Sequence, residues 1–343
     1  MKRIFSTLCL FIAVAISTVS CSSDSESASS LASINDFKIA IANVDVASIT
    51  YNLGTAITVS VPYGASLEAV IPTITVSDKA TISPASGTKV SFVNGESKPF
   101  TVTAEDGTTK VYTVTIKVRP EVGSGSKLKT YKLNDLFGEN STTTFTKYNT
   151  ANFVTEFTKD VDDFGDITST TYTLVYNDKN EVIEKKSETA KESTVYTYNS
   201  AGQITTAVYK KNSVLTYTYA YTYDTAGNLA SEKRTAHAEK DAVSEVKYTI
   251  VNGNVTKENR FGEDYTAAYD SKNNPFKGIY PSAYAAINAG IQSVNVNNPI
   301  KGTFADPAGV KYIYNTDNYP VSAEYTYFDG LATVSKTFTY YAN

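Results

Sequence analysis

Tryptophan is absent from the 343 residues, histidine and methionine occur once each, as His237 and Met1, and cysteine occurs twice, as Cys9 and Cys21. A lone histidine cannot assemble a multi-histidine zinc site. Cys9 lies inside an N-terminal apolar run and Cys21 at its end, so loss of that run would leave no second thiol and no disulfide framework. No Gly-x-Ser-x-Gly elbow presents a serine nucleophile. Basic residues form no block, and the formal charge is −4. Nothing would neutralise a row of phosphates, so nucleic acid is not expected as a partner. What is abundant is tyrosine, at 26, with 15 phenylalanines. With plentiful Thr, Val and Ile, this composition suits strands, where aromatic and β-branched side chains pack on a pleated surface.

Met1-Lys2-Arg3 is a positive start, Ile4 to Ile16 a short apolar core, and Ser17-Thr18-Val19-Ser20-Cys21 a cleavage box. The core is shorter than the roughly 20 apolar residues of a spanning helix. The segment resembles the lipobox of bacterial lipoproteins, apart from Thr18 in place of the usual aliphatic residue. That resemblance implies cleavage after residue 20 and acyl chains on Cys21. Without Lys2 and Arg3 the remainder has 29 basic and 35 acidic residues, −6. Residues 21–31 read as a polar tether, and the acidic Asp24 and Glu26 partly resemble a surface-export signal of Gram-negative lipoproteins. The expected address is therefore the outer membrane, on the outer face of the cell.

Residues 32–118 alternate short β-type runs with turns: Ile34 to Ile41, Ile57 to Val61, Ile71 to Val76, Lys89 to Val93, Phe100 to Thr103 and Val111 to Val118. Asp106-Gly107 marks a hairpin between the last two. The spacing predicts a small sandwich. The phrases Val61-Pro62-Tyr63-Gly64, Ser83-Pro84-Ala85-Ser86-Gly87 and Thr103 to Tyr112 resemble Ig-like domains that follow the anchor in surface lipoproteins, which implies a stalk. Residues 119–130, containing Arg119-Pro120 and a Gly/Ser alternation, read as a linker.

Residues 131–343 carry an internal repeat: Tyr, Asn or Asp, two variable residues, Gly or Asn, one residue, then an apolar residue or proline. It is clearest at Tyr176-Asn177-Asp178-Lys179-Asn180-Glu181-Val182, Tyr198 to Ile204 and Tyr223 to Leu229, with weaker copies at Tyr148, Tyr269 and Tyr314. Asn or Asp opens a turn on its own backbone, and Gly or Asn takes the left-handed position. Between turns the period is two: in Leu215 to Tyr223 one face carries Leu215, Tyr217, Tyr219, Tyr221 and Tyr223. The units predict an antiparallel meander of hairpins. They resemble the tyrosine-aspartate repeats of bacterial wall-associated and toxin-shell proteins. They resemble more closely an uncharacterised family of lipoprotein C-terminal domains that combines such hairpins with a segment like Asn273-Asn274-Pro275-Phe276. Pro281 to Gly290 interrupts the pattern as a short helix.

Candidate chemistry is sparse. Asp160, Asp162, Asp163 and Asp166 gather oxygen donors of the kind calcium takes. Phe164 stands where a ligand is expected, however, and a turn between strands accounts for the segment more simply. His237 reads as an exposed loop residue. Tyr217, Tyr219, Tyr221 and Tyr223 form a possible ligand surface, weighed against cross-strand packing. The resulting expectation is an all-β protein, an Ig-like sandwich followed by a repeat-built meander with one helical insert. It needs no cofactor, is held on the membrane by lipid, and binds an extracellular glycan or an envelope protein without catalysis. An architectural role beside another outer-membrane protein and a glycoside-type hydrolase are the alternatives.

Overall fold

The structure, a computed structural model, describes residues 27–135 and 140–342. The expected signal segment, Cys21 and the expected tether up to residue 26 lie outside the described residues. The chain divides into two compact units, Met1–Arg119 and Pro120–Asn343.

The first unit is built from β1 (Ile34–Ala40), β2 (Thr50–Asn52), β3 (Ala56–Val61), β4 (Ile71–Val76), β5 (Thr81–Ser83), β6 (Ser97–Thr103) and β7 (Thr109–Val118). β1 pairs with β4, and the others form a sheet in the order β2-β3-β7-β6-β5, with β3 and β7 parallel. Period-two alternation puts Ile57, Val59 and Val61 at 1%, 0% and 0% exposure, in one core with Phe37 and Phe100. Those two rings meet edge-on at 6.0 Å. At the expected hairpin Gly107 takes φ +88°, and Asp106 Oδ1 accepts a hydrogen bond from Thr108 N at 2.8 Å. The Lys89–Val93 run forms no strand. Turns on both sides leave it one bridge, Val90 to Val70, while Phe92 is buried.

The second unit contains β8 (Leu128–Asp135), β9 (Asn140–Tyr148), β10 (Val154–Asp163), β11 (Asp166–Tyr176), β12 (Val182–Ser187), β13 (Glu192–Tyr198), β14 (Ile204–Lys211) and β15 (Val214–Tyr223). It continues through β16 (Leu229–Ala236), β17 (Ala242–Val251), β18 (Asn254–Arg260), β19 (Glu263–Tyr269), α1 (Ser282–Ile287), β20 (Pro299–Gly302), β21 (Lys311–Tyr314), β22 (Pro320–Tyr327) and β23 (Ala332–Tyr340). These strands make one antiparallel sheet of 16, ordered β20 back through β8 and then β23-β22-β21. The two ends of that order also meet, because Val310 N donates to Ile300 O at 2.8 Å and Tyr312 Oη to Pro299 O at 3.1 Å. The meander therefore nearly closes on itself: the first strand β8 pairs with the last, β23, and the seam lies between β20 and β21, which share no ladder.

Sixteen strands enclose enough width for a channel in other barrels. Here aromatic side chains and the insert between β19 and β20 fill the interior. Phe276 meets Tyr131 at 5.6 Å and Phe145 at 6.5 Å, and Tyr284 of α1 meets Tyr196 edge-on at 5.5 Å. α1 stops at Asn288, before Gly290, because the Asn288 side chain donates to Tyr284 O at 2.7 Å. Its first turn is met by Glu121, whose carboxylate accepts from Ser282 N at 3.0 and 3.1 Å, a favourable place for a negative charge. The Gly/Ser stretch after Pro120 lies close against this end. A Cβ at Gly125 would fall 2.0 Å from the Tyr319 hydroxyl, and one at Gly278 would fall 2.0 Å from Ser124 O. Glycines on both sides of the contact thus permit this close approach.

Register sets the sidedness of the wall. Residues sharing the pleat with the core aromatics face in, and the alternate set faces out: Thr142, Thr144 and Thr146 on β9, Thr216, Thr218 and Thr222 on β15, Ser231, Lys233 and Thr235 on β16. A lipid-facing barrel has an apolar outer band and a polar interior. This barrel has the reverse.

Candidate functional site

The repeat turns are built alike. Asn149, Asn177, Asn199, Asp224 and Asn315 each use Oδ1 to accept from the backbone N–H groups two and four residues on, for instance Asp224 from Ala226 and Asn228 at 2.9 and 2.8 Å. The left-handed position is filled by Asn152, Asn180, Gly202, Gly227 and Asn318. The tyrosine before the turn has its own task. Tyr148, Tyr176, Tyr198, Tyr223 and Tyr269 donate to the carbonyls of Leu128, Val154, Val182, Ile204 and Val255, at 2.5 to 2.8 Å; Tyr340, at the end of the last strand, donates likewise to Pro320 O at 2.8 Å, whereas Tyr314 donates to the Asp270 carboxylate. Each carbonyl belongs to the adjacent strand of the same hairpin, at a buried residue. The phenol therefore ties the open end of its hairpin and satisfies an oxygen that water does not reach. Burial pushes the Tyr223 hydroxyl up to about 12. Tyr223→Phe is expected to cost about 1–2 kcal/mol, the cost of orphaning that carbonyl, seen as a lower urea midpoint with an unchanged m value.

The tyrosine ladder faces inward, and its members are graded along β15. Tyr223 is a hairpin tie, Tyr221 is 9% exposed, and Tyr219 and Tyr217 are half-buried towards the hairpin-tip end. Tyr217 stacks on Tyr209 at 5.7 Å, and the Arg234 guanidinium covers it at 5.0 Å. Burial, with Glu192 adjacent, pushes Tyr209 up to about 12. Nearby, Lys185 Nζ lies 4.5 Å from the centre of the Tyr172 ring, and burial pushes its ammonium pKa down. Arg260 lies over Tyr265 at 5.9 Å. The ring faces at this mouth are therefore taken by the protein's own cations.

The four aspartates of the acidic segment part company. Asp160 and Asp162 lie on the outward pleat of β10, while Asp163 pairs with Asp166 across the hairpin. Ser169 Oγ donates to Asp160 Oδ1 at 2.5 Å, and Gly165 N donates to Asp162 Oδ1 at 2.7 Å. Among the described residues no group of three or more His, Cys, Asp or Glu is placed to hold a metal ion. His237 is 27% exposed, with Nδ1 at 2.6 Å from Asp241 Oδ1 and Nε2 at 3.1 Å from Thr218 Oγ1.

A feature that sequence reasoning did not find is a groove of about 860 Å³ on the outer wall, where β23, β8, β9, β10 and β11 run side by side. Lys132, Thr142 and Asp160 form one row across the strands. Ser335, Asn134, Asn140, Asp162 and Ile167 lie along the next. Asn134 Nδ2 donates to Ser335 Oγ at 3.3 Å and Asn140 Oδ1 accepts from Asp135 N at 2.9 Å, so the amides are held in place. Phe164, fully exposed and at φ +50°, stands at one end. Its residues come from strands up to about 200 positions apart in the chain, which no local pattern brings together. The local signal was the acidic segment, whose Asp160, Asp162 and Phe164 line the groove.

Residues 34–116 match the family model described as SGBP, N-terminal. No curated protein matches the chain. Among solved structures, a porin-like protein from Bacteroides uniformis is similar over 63% of this chain and 99% of its own, at 15% identity and a TM-score of 0.43. A DUF4623 family protein from Bacteroides eggerthii is similar over 90% of this chain and 98% of its own, at 8% identity and a TM-score of 0.23. Scores this low carry nothing about function. No helix among the described residues is long and apolar enough to cross a membrane.

Proposed function

We propose that this is a non-catalytic, glycan-binding protein of a bacterial cell surface, anchored through lipid on Cys21. The observation that carries the reading is the match of residues 34–116 to the N-terminal domain of the surface glycan-binding protein family. The N-terminal segment supports it, since a short apolar core, a cleavage box and a polar tether are what an anchored exported protein needs. Two or more acyl chains on Cys21 would hold it stably where one would not. In this reading the first unit is a stalk, and the second presents the binding surface. The polar outer wall of the closed sheet suits exposure to water.

The test is an array of immobilised neutral, uronate-bearing and sulfated polysaccharides probed with the full-length protein in detergent. Retention on at least one glycan class is expected. A blank array at high protein concentration sinks the reading.

A second reading, an architectural partner of another envelope protein, is favoured by apolar residues at the hairpin tips: Phe261, Phe328 and Leu331 are 88%, 66% and 74% exposed. Aromatic residues of this kind anchor protein interfaces. Crosslinking in intact cells that captures one stoichiometric membrane protein, with a blank array, would favour it.

A further inference from the structure

Resting on the glycan-binding reading, we infer that the outer-wall groove of β23, β8, β9, β10 and β11 is the sugar-binding site, and that its ligand class is a neutral oligosaccharide.

The site's chemistry matches sugar hydroxyls. Asn134 and Asn140 offer amide donors and acceptors, and Thr142, Thr333 and Ser335 offer hydroxyls. Asp160 and Asp162 offer carboxylates, each with one oxygen already engaged and oriented by the protein. Charged acceptors make stronger hydrogen bonds to hydroxyl donors than neutral ones do. Phe164 supplies an apolar ring at one end, where the less polar face of a pyranose can lie. Five strands about 4.8 Å apart span about 19 Å, the length of a short oligosaccharide rather than one sugar. The volume of about 860 Å³ suits the same size.

Charge narrows the class. Lys132 faces Asp160 and Asp162, with Asp135 also lining the groove, so carboxylates outnumber cations. Uronates and sulfated sugars would meet like charge at close range. The barrel mouth is the less suitable place, because Tyr172, Tyr217 and Tyr265 have their faces covered by Lys185, Arg234 and Arg260.

The experiment takes the neutral glycan best retained by the full-length protein and measures its affinity by titration calorimetry for wild type, Asp162→Asn, Phe164→Ala and Tyr217→Ala. Circular dichroism melts confirm that each variant is folded. Asp162→Asn and Phe164→Ala are expected to weaken binding about tenfold or more, and Tyr217→Ala to leave it close to wild type. Loss with Tyr217→Ala and none with the other two places the ligand at the barrel mouth and overturns the assignment. Retention on uronate-bearing or sulfated glycans alone overturns the ligand class while leaving glycan binding intact. A blank array removes the glycan-binding reading itself, and the assignment with it.

Discussion

Raising the pH from 10 towards 12 is expected to unfold the second unit in one steep transition. Its tyrosines are held neutral by burial: Tyr284 is pushed up from 10.0 to about 12, and Tyr148, Tyr176, Tyr221 and Tyr312 are also raised by desolvation. A folded-state pKa above the unfolded value means that the native state binds more protons as pH rises past 10. The stability these groups contribute is fully present below pH 10 and is lost as pH climbs through the folded values. For fully buried Tyr284 alone the loss by pH 12 is on the order of 2–3 kcal/mol. A domain is stable by only about 5–15 kcal/mol, so a few such groups exhaust it. The measurement is tyrosinate absorbance against far-ultraviolet circular dichroism. Coincident, cooperative changes are expected. A gradual titration centred near pH 10 with the dichroism unmoved would mean that the phenols are accessible and do not tie the hairpins.

Deleting residues 332–343 should have a comparable effect by another route. The segment contains β23, which pairs with both β22 and β8 and buries Ala332, Val334 and Phe338. Phe338 also stacks on Tyr131 at 5.3 Å, and Tyr341 Oη donates to Phe145 O at 2.7 Å. Without β23 the sheet would have two new open edges and a breached core, and open edges promote association between molecules. The truncated chain is expected to lose protection from proteolysis across the second unit and to aggregate. The milder Phe145→Ala, at a residue 2% exposed, is expected to cost about 3–5 kcal/mol while keeping the wall closed. A truncated protein with the wild-type melting temperature would contradict closure through β8 and β23.

The repeat was legible because its determinants are local. Asn or Asp at the turn start and Gly or Asn three residues later are demanded by backbone geometry within seven residues, and the hairpins form there. The helix was legible from Pro281, although Asn288 rather than Gly290 ends it. Less legible was the tyrosine itself, for which packing, stacking and ligand contact were all consistent with a period of two. Its hydroxyl bond to the neighbouring strand depends on how two strands end beside each other, which spacing along the chain does not state. The groove was hidden for the same reason, since Asn134, Thr142, Asp160 and Ser335 become neighbours only through cross-strand register.

The lone histidine and the lack of a basic block argued against a multi-histidine metal site and a nucleic-acid partner before any fold was known. The all-β strand pattern and the hairpin turns also followed from the chain itself, because steric limits on φ and the pleat act residue by residue. The tertiary structure alone decided that the meander closes, that Tyr217 to Tyr223 face inward, that the insert fills the interior and that the outer wall is polar. Those outcomes depend on pairing β8 with β23, some 200 residues apart. An alternating pattern says that a strand has two faces, and only closure says which one is inside.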